Sequence, residues 1–80
     1  MNRQEIRDAT LRAIGTIAPN ANIEDLDPGV NFRNELSLDS MDFLEVLTKV
    51  RDETGVEVPE RDYEHVQTVE DLVDYVAQKQ

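Results

Sequence analysis

Apolar residues recur at helical spacing in three stretches of the chain, and a residue that can cap a helix precedes each stretch. The first helix is predicted over about Arg3 to Ile17 after the cap Asn2, and its apolar face holds Ile6, Thr10, Ala13, Ile14 and Ile17. The second is predicted over about Ser40 to Thr54, between the cap Asp39 and the stop Gly55. Its inward stripe consists of Phe43, Val46, Leu47 and Val50. The third follows the cap Thr68, with a stripe of Val69, Leu72, Val73 and Val76.

The segments between these helices carry turn-forming residues. Residues 18–38 contain Pro19, Pro28 and four asparagines, which is typical of a long loop. We expect this loop to be pinned across the helices by its spaced apolar side chains, which are Ile23, Leu26, Val30, Phe32, Leu36 and Leu38. A short further helix is predicted at roughly Arg61 to His65. The sequence therefore predicts one all-α domain over residues 1–80, a small bundle of three main helices plus one short helix.

Charge narrows the classes of partner. Eighteen acidic residues against eight basic ones leave a net charge of −10, which argues against binding to nucleic acid or to anionic membrane surfaces. The excess is greatest in residues 36–64, where nine acids face three bases. A basic protein partner is the natural complement, although acidity can also serve solubility alone. With no cysteine and no long apolar run, we expect a soluble, cytoplasmic and monomeric protein without a membrane span.

The second helix presents a distinct outward face. Met41, Glu45, Thr48 and Asp52 fall together at helical spacing, opposite the apolar stripe. A flexible apolar side chain among acids suits the docking of a partner protein. An ordinary solvated helix surface has the same pattern, and from the spacing alone it is the simpler interpretation.

Ser40 is placed in the first turn of that helix, where its hydroxyl should project to solvent. An anionic group attached to this hydroxyl would lie near the positive end of the helix dipole. The negative charge of Asp39 would repel such a group, so Asp39 is not expected to bind it. Its expected role is to cap the helix. A serine at a helix start is also a common capping residue, so position alone leaves both interpretations open.

Other kinds of site are disfavoured by the sequence. The segment from Asp25 to Val30 begins like a calcium loop, but Val30 stands where that loop needs glycine. His65 is the only histidine, and no cysteine is present to complete a nucleophilic set. We therefore expect no catalytic residues and no metal site.

The ordered motifs resemble those of the acyl carrier proteins along nearly the whole chain. They include Phe32 in the long loop, the run from Leu36 to Glu45, the step from Gly55 to Pro59, and the start of the last helix from Thr68 to Asp71. The resemblance implies a non-catalytic carrier with 4′-phosphopantetheine attached covalently to Ser40.

The resemblance also implies partners. A separate phosphopantetheinyl transferase would use coenzyme A and magnesium, and the family suggests that Asp39 helps to present the metal to that enzyme. Acyl-handling enzymes with basic patches would dock on Asp39, Met41, Glu45, Thr48 and Asp52. The imported thiol is consistent with a chain that has no cysteine of its own.

Several departures from the family pattern bear on the pathway. Ser37 stands where these carriers usually have glycine, and Lys49 and Arg51 interrupt a helix that is more uniformly acidic in housekeeping fatty-acid carriers. These differences favour a discrete carrier of a specialised pathway, for polyketides or a modified lipid, over the primary fatty-acid carrier. The rival interpretation is an unmodified helical adaptor that only binds proteins.

Overall fold

The computed structural model describes residues 1–80 and is helical without strands. Its long helices are α1 (Arg3–Ile17), α3 (Ser40–Thr54) and α4 (Val69–Lys79), and a one-turn helix α2 (Phe32–Glu35) precedes α3. Two 3₁₀ segments complete the chain, at Ile23–Asp25 and Glu60–His65. The predicted all-α class with three main helices is confirmed. The number of short helical segments is larger than predicted.

Side-chain caps explain where the long helices begin. The Asn2 side chain accepts a hydrogen bond from the backbone N–H of Glu5 at 2.8 Å, and the Glu5 carboxylate accepts one in return from the N–H of Asn2 at 2.9 Å. Thr68 Oγ1 accepts from the N–H of Asp71 at 3.0 Å. These contacts satisfy N–H groups that have no partner within a helix, so the first turns are stable where the sequence predicts them.

Helix α1 is the centre of the bundle, because it packs against both α3 and α4 while those two contact each other far less. The predicted stripes are buried, except that Ile17 is only half-buried and Ala9 replaces it on the inner face of α1. Thr10 is fully buried, and its hydroxyl donates to the Ile6 carbonyl at 2.9 Å. No helix is both long and apolar enough to cross a membrane.

The connection between α1 and α3 is tied to the start of α4 through its backbone. The N–H of Phe32 donates to the Gln67 carbonyl at 3.0 Å, and the N–H of Glu70 donates to the Pro28 carbonyl at 3.0 Å. Phe32 is fully buried and Leu38 nearly so, while the other apolar residues of the segment are half-buried. The loop is thus pinned as expected, although the turns at Ile23–Asp25 and α2 were not predicted within it.

The short helix expected near Arg61 is a 3₁₀ segment, Glu60–His65. It is attached to α4 by Tyr75, whose hydroxyl donates to Asp62 Oδ2 at 2.8 Å. This hydrogen bond to a carboxylate raises the pKa of Tyr75 above its usual value, with smaller contributions from burial and from the Asp62 charge. On its other side the segment brings Tyr63 edge-on to Phe43, with ring centroids 5.7 Å apart.

Candidate functional site

The start of α3 is organised by Asp39. Its carboxylate accepts from the N–H of Asp42 at 2.8 Å, and the Asp42 carboxylate accepts from the N–H of Asp39 at 3.4 Å. This reciprocal pair is a capping box. The cap predicted for Asp39 is therefore present, and Ser40 is not the capping residue. Its exposed hydroxyl makes no hydrogen bond to the free backbone N–H groups of the helix start.

The turn that leads into Asp39 is set by the end of α2. The N–H of Leu38 donates to the Arg33 carbonyl at 2.8 Å, and the N–H of Ser37 donates to the Asn34 carbonyl at 3.3 Å. Both bonds are those of a Schellman motif, in which the residue after the cap is left-handed. Ser37 has φ +55° and is the only non-glycine residue with a positive φ. Because glycine adopts a left-handed backbone without strain, this geometry explains why the family that the sequence resembles usually has glycine at position 37.

Replacing Ser37 with glycine should stabilise the fold. A left-handed non-glycine residue costs roughly 1–2 kcal/mol, and the extra chain entropy of glycine offsets about 0.5–1 kcal/mol of that gain. We expect Ser37→Gly to raise the free energy of unfolding by about 0.5–1 kcal/mol in urea titrations. Ser37→Ala is the matched control and should stay near the parent value, because it keeps the Cβ. Equal stability of the glycine and alanine variants would contradict the strain at Ser37.

Arg33 is the basic side chain that lies against Ser40. Its Nη2 donates to Ser40 Oγ at 2.8 Å, and its Nε donates to the Leu38 carbonyl at 3.4 Å. The guanidinium also lies 5.5 Å from the centroid of the Phe43 ring. Arg33 was not predicted from the sequence as a residue of the site. The turn at Ser37 brings it back to Ser40, and that turn was not predicted either.

A cleft of about 310 Å³ opens beside the serine. Arg33, Ser40 and Glu60 form its polar part, and Phe43, Leu44 and Tyr63 form its apolar part. The apolar part is built on an aromatic row, since the Phe43 ring contacts the buried Phe32 ring at a centroid distance of 5.9 Å. The Ser40 hydroxyl thus stands at the mouth of a partly apolar surface cleft.

The outward face of α3 is exposed as the helical spacing predicts. Met41 is 72% exposed, and Glu45, Thr48 and Asp52 are also exposed. Glu45 makes no ion pair, whereas Asp52 lies 3.6 Å from Arg51. Leu44 was not predicted on this face, although it is 47% exposed and one turn from Met41. The face therefore combines two apolar side chains with acids.

Ser40 Oγ has one side-chain hydrogen-bond partner, Arg33, and no carboxylate or histidine accepts a hydrogen bond from it. The carboxylates of Asp39 and Asp42 are engaged in the capping box. The single histidine, His65, is exposed and its partner is Glu64, at 3.7 Å. No cluster of three or more histidine and acidic side chains has the spacing of a metal site. An exposed hydroxyl with a cationic neighbour suits attachment of an anionic group by another enzyme.

A protein-family model described as "Phosphopantetheine attachment site" matches residues 4–76. The chain belongs to this phosphopantetheine-attachment family. An acyl carrier protein of Rubrobacter xylanophilus is 31% identical over 77 residues, which cover 96% of this chain and 89% of the relative. An acyl carrier protein of Thermosynechococcus vestitus is 32% identical over 79 residues, covering 99% of this chain and 96% of the relative.

The fold agrees with that family. The solved acyl carrier protein of Enterococcus faecalis superposes with a TM-score of 0.85 at 25% identity, and 100% of each chain is covered. Within the phosphopantetheine-attachment family the chain is a non-catalytic acyl carrier, and its cofactor is phosphopantetheine. The predicted family, cofactor and non-catalytic role are thereby confirmed.

Proposed function

We propose that Ser40 is the attachment point of 4′-phosphopantetheine, and that the chain delivers acyl groups on this arm to biosynthetic enzymes. The observation that carries the proposal is the exposed Ser40 hydroxyl at the first residue of α3. It is free of the capping role because Asp39 takes that role. Arg33 supplies the positive charge next to it.

The chemistry at Ser40 needs a separate phosphopantetheinyl transferase with coenzyme A and magnesium. Ser40 Oγ forms a bond to the phosphorus that carries pantetheine in coenzyme A, and the bond from that phosphorus to the bridging oxygen breaks. The adenosine bisphosphate leaves with that oxygen, and the hydroxyl proton passes to a base of the transferase or to water. The attached group supplies a terminal thiol that holds acyl groups as thioesters, which the cysteine-free chain cannot supply itself.

The attachment is tested by the mass of the intact chain. Co-expression with a phosphopantetheinyl transferase should add the mass of one phosphopantetheine group. A chain that gains no mass with several different transferases would support the rival function, an unmodified adaptor.

We assign partner binding to the α3 face, comprising Asp39, Met41, Glu45, Thr48 and Asp52, with Leu44 added. The acids would attract basic patches on acyl-handling enzymes, while Met41 and Leu44 would provide apolar contact. The partners belong to fatty-acid, polyketide or related lipid biosynthesis. Ser37, Lys49 and Arg51 favour a specialised pathway within that range.

Charge reversal on this face should weaken docking without unfolding the domain. We expect Glu45→Lys with Asp52→Lys to reduce the association rate with a basic partner enzyme at least tenfold at low salt, because opposite fields can accelerate association by about 10–10³. The matched control is Asp8→Lys with Glu24→Lys, which changes the net charge by the same amount. These two exposed acids flank a different groove. Surface plasmon resonance measures both. If the association rate fell equally in both variants, net charge alone would explain the effect, and the assignment of the docking face would be contradicted.

A further inference from the structure

Arg33 has the contacts of a side chain held ready for an anion. Its guanidinium donates to Ser40 Oγ and to the Leu38 carbonyl and lies over the Phe43 ring. It forms no salt bridge, although acids outnumber bases in the surrounding segment. Its shortest hydrogen bond is therefore with a neutral hydroxyl, at 2.8 Å.

Modification of Ser40 would leave an excess of negative charge at the start of α3. A phosphodiester on Oγ adds a negative charge next to the carboxylates of Asp39 and Asp42, which carry the capping box. A guanidinium offers several N–H donors in a planar fork that matches phosphate oxygens. Arg33 already contacts the atom that would carry the phosphorus.

We propose that Arg33 is the phosphodiester-binding residue of this carrier, and that it positions the root of the arm at the mouth of the cleft formed with Phe43, Leu44 and Tyr63. This rests on the proposed attachment at Ser40. Arg33 acts as a positioning residue. Its single positive charge offsets the negative charge that the phosphodiester adds beside Asp39 and Asp42, and its cation–π contact with the Phe43 ring limits the directions in which the guanidinium can turn.

The hydrogen bond from Arg33 changes in character between the two forms of the protein. In the unmodified chain the guanidinium donates to a neutral hydroxyl, and in the modified chain it donates to an ionised oxygen. Charge-assisted hydrogen bonds are shorter and about twice as strong as neutral ones. The side-chain N–H signals of Arg33 should therefore move downfield and exchange more slowly with water after modification.

The test uses the whole chain in its unmodified and modified forms, with nitrogen-labelled arginine and phosphorus NMR. In the modified parent we expect the Arg33 side-chain N–H signals to lie downfield. We also expect the transverse relaxation of the phosphorus signal to be as fast as for a group held rigidly on the folded domain. In modified Arg33→Gln the phosphorus signal should relax more slowly, because the root of the arm is released. Arg33→Lys should restore part of the restriction, since it keeps the charge and lacks the fork.

Arg12 is the matched control, because its Nη2 and Nε donate to Glu53 at 3.0 and 3.4 Å. Arg12→Gln should leave the phosphorus relaxation unchanged, and the parent's Arg12 signals should not move on modification. Unchanged Arg33 signals together with equal phosphorus relaxation in the parent and Arg33→Gln would overturn the proposal. Intact mass separates this from failure at Ser40: a full mass gain with no Arg33 response leaves the attachment standing, while no mass gain in any variant rejects the attachment itself.

Discussion

Ser40→Ala is expected to abolish phosphopantetheine attachment completely. The proposed attachment needs the hydroxyl oxygen of Ser40, and alanine supplies none. The variant should remain folded, because Asp39 caps α3 and alanine is the best helix former. The substitution removes the hydrogen bond from Arg33, which lies at an exposed site. Intact mass after exposure to transferase and coenzyme A measures the result, and circular dichroism verifies that the helices persist.

The chain offers a closely matched control in Ser37, which is the only other serine. Ser37 is also exposed and lies three residues away, but its left-handed backbone belongs to the turn before the helix. Ser37→Gly should therefore be modified to the same extent as the parent. A mass gain in Ser40→Ala, or the absence of one in Ser37→Gly with Ser40 intact, would show that the attachment point has been misassigned.

Phe32→Ala should cause the largest loss of stability. Phe32 is fully buried and its ring contacts Phe43, so truncation leaves a cavity in the core. Such changes cost about 3–5 kcal/mol, and a chain of this length has a free energy of unfolding on the order of 4–12 kcal/mol at the usual value per residue. We expect the urea midpoint to fall sharply and much of the variant to be unfolded at physiological temperature.

The size of the side chain at Phe32, and not its aromaticity alone, should govern this effect. Phe32→Leu keeps most of the buried volume and should lose less than half as much stability as Phe32→Ala. Urea unfolding followed by circular dichroism compares the two variants. A stability change within about 0.5 kcal/mol for Phe32→Ala, the usual range of a surface substitution, would contradict the role of Phe32 as the anchor of the loop.

The long helices were predictable because two independent signals agreed. Apolar periodicity located their inner faces, and the caps Asn2, Asp39 and Thr68 located their starts. Helix α2 was not predictable in this way, since four residues are too few to show a period. It forms because Phe32 is buried and its N–H bonds to Gln67, which lies 35 positions further along the chain. Part of the information is local, because the Asn31 side chain caps α2 by accepting from the N–H of Asn34 at 3.0 Å, and tertiary contacts supply the rest.

The residues of the site also divide into those that local sequence predicts and those that depend on the folded structure. The place of Ser40 at a helix start followed from local sequence. The arginine beside it did not, because its contact depends on the left-handed turn at Ser37. One signal for the contact was available in the sequence. The family usually has glycine at position 37, and this indicates a left-handed turn between Arg33 and Ser40. Leu44 was missed because helical spacing places it at the border between the inner and outer faces, where periodicity alone does not decide.

The position of α1 has a consequence for how this carrier can diverge. Because α3 is held from one side by α1, substitutions on its outward face leave the packing of the interior untouched. If this face binds partner enzymes as proposed, substitutions on it would change which enzymes are recognised without changing the interior. Duplicate genes for such a chain would then diverge into carriers that bind different enzymes through a few changes at exposed positions such as Met41 and Glu45, while the fold stays the same.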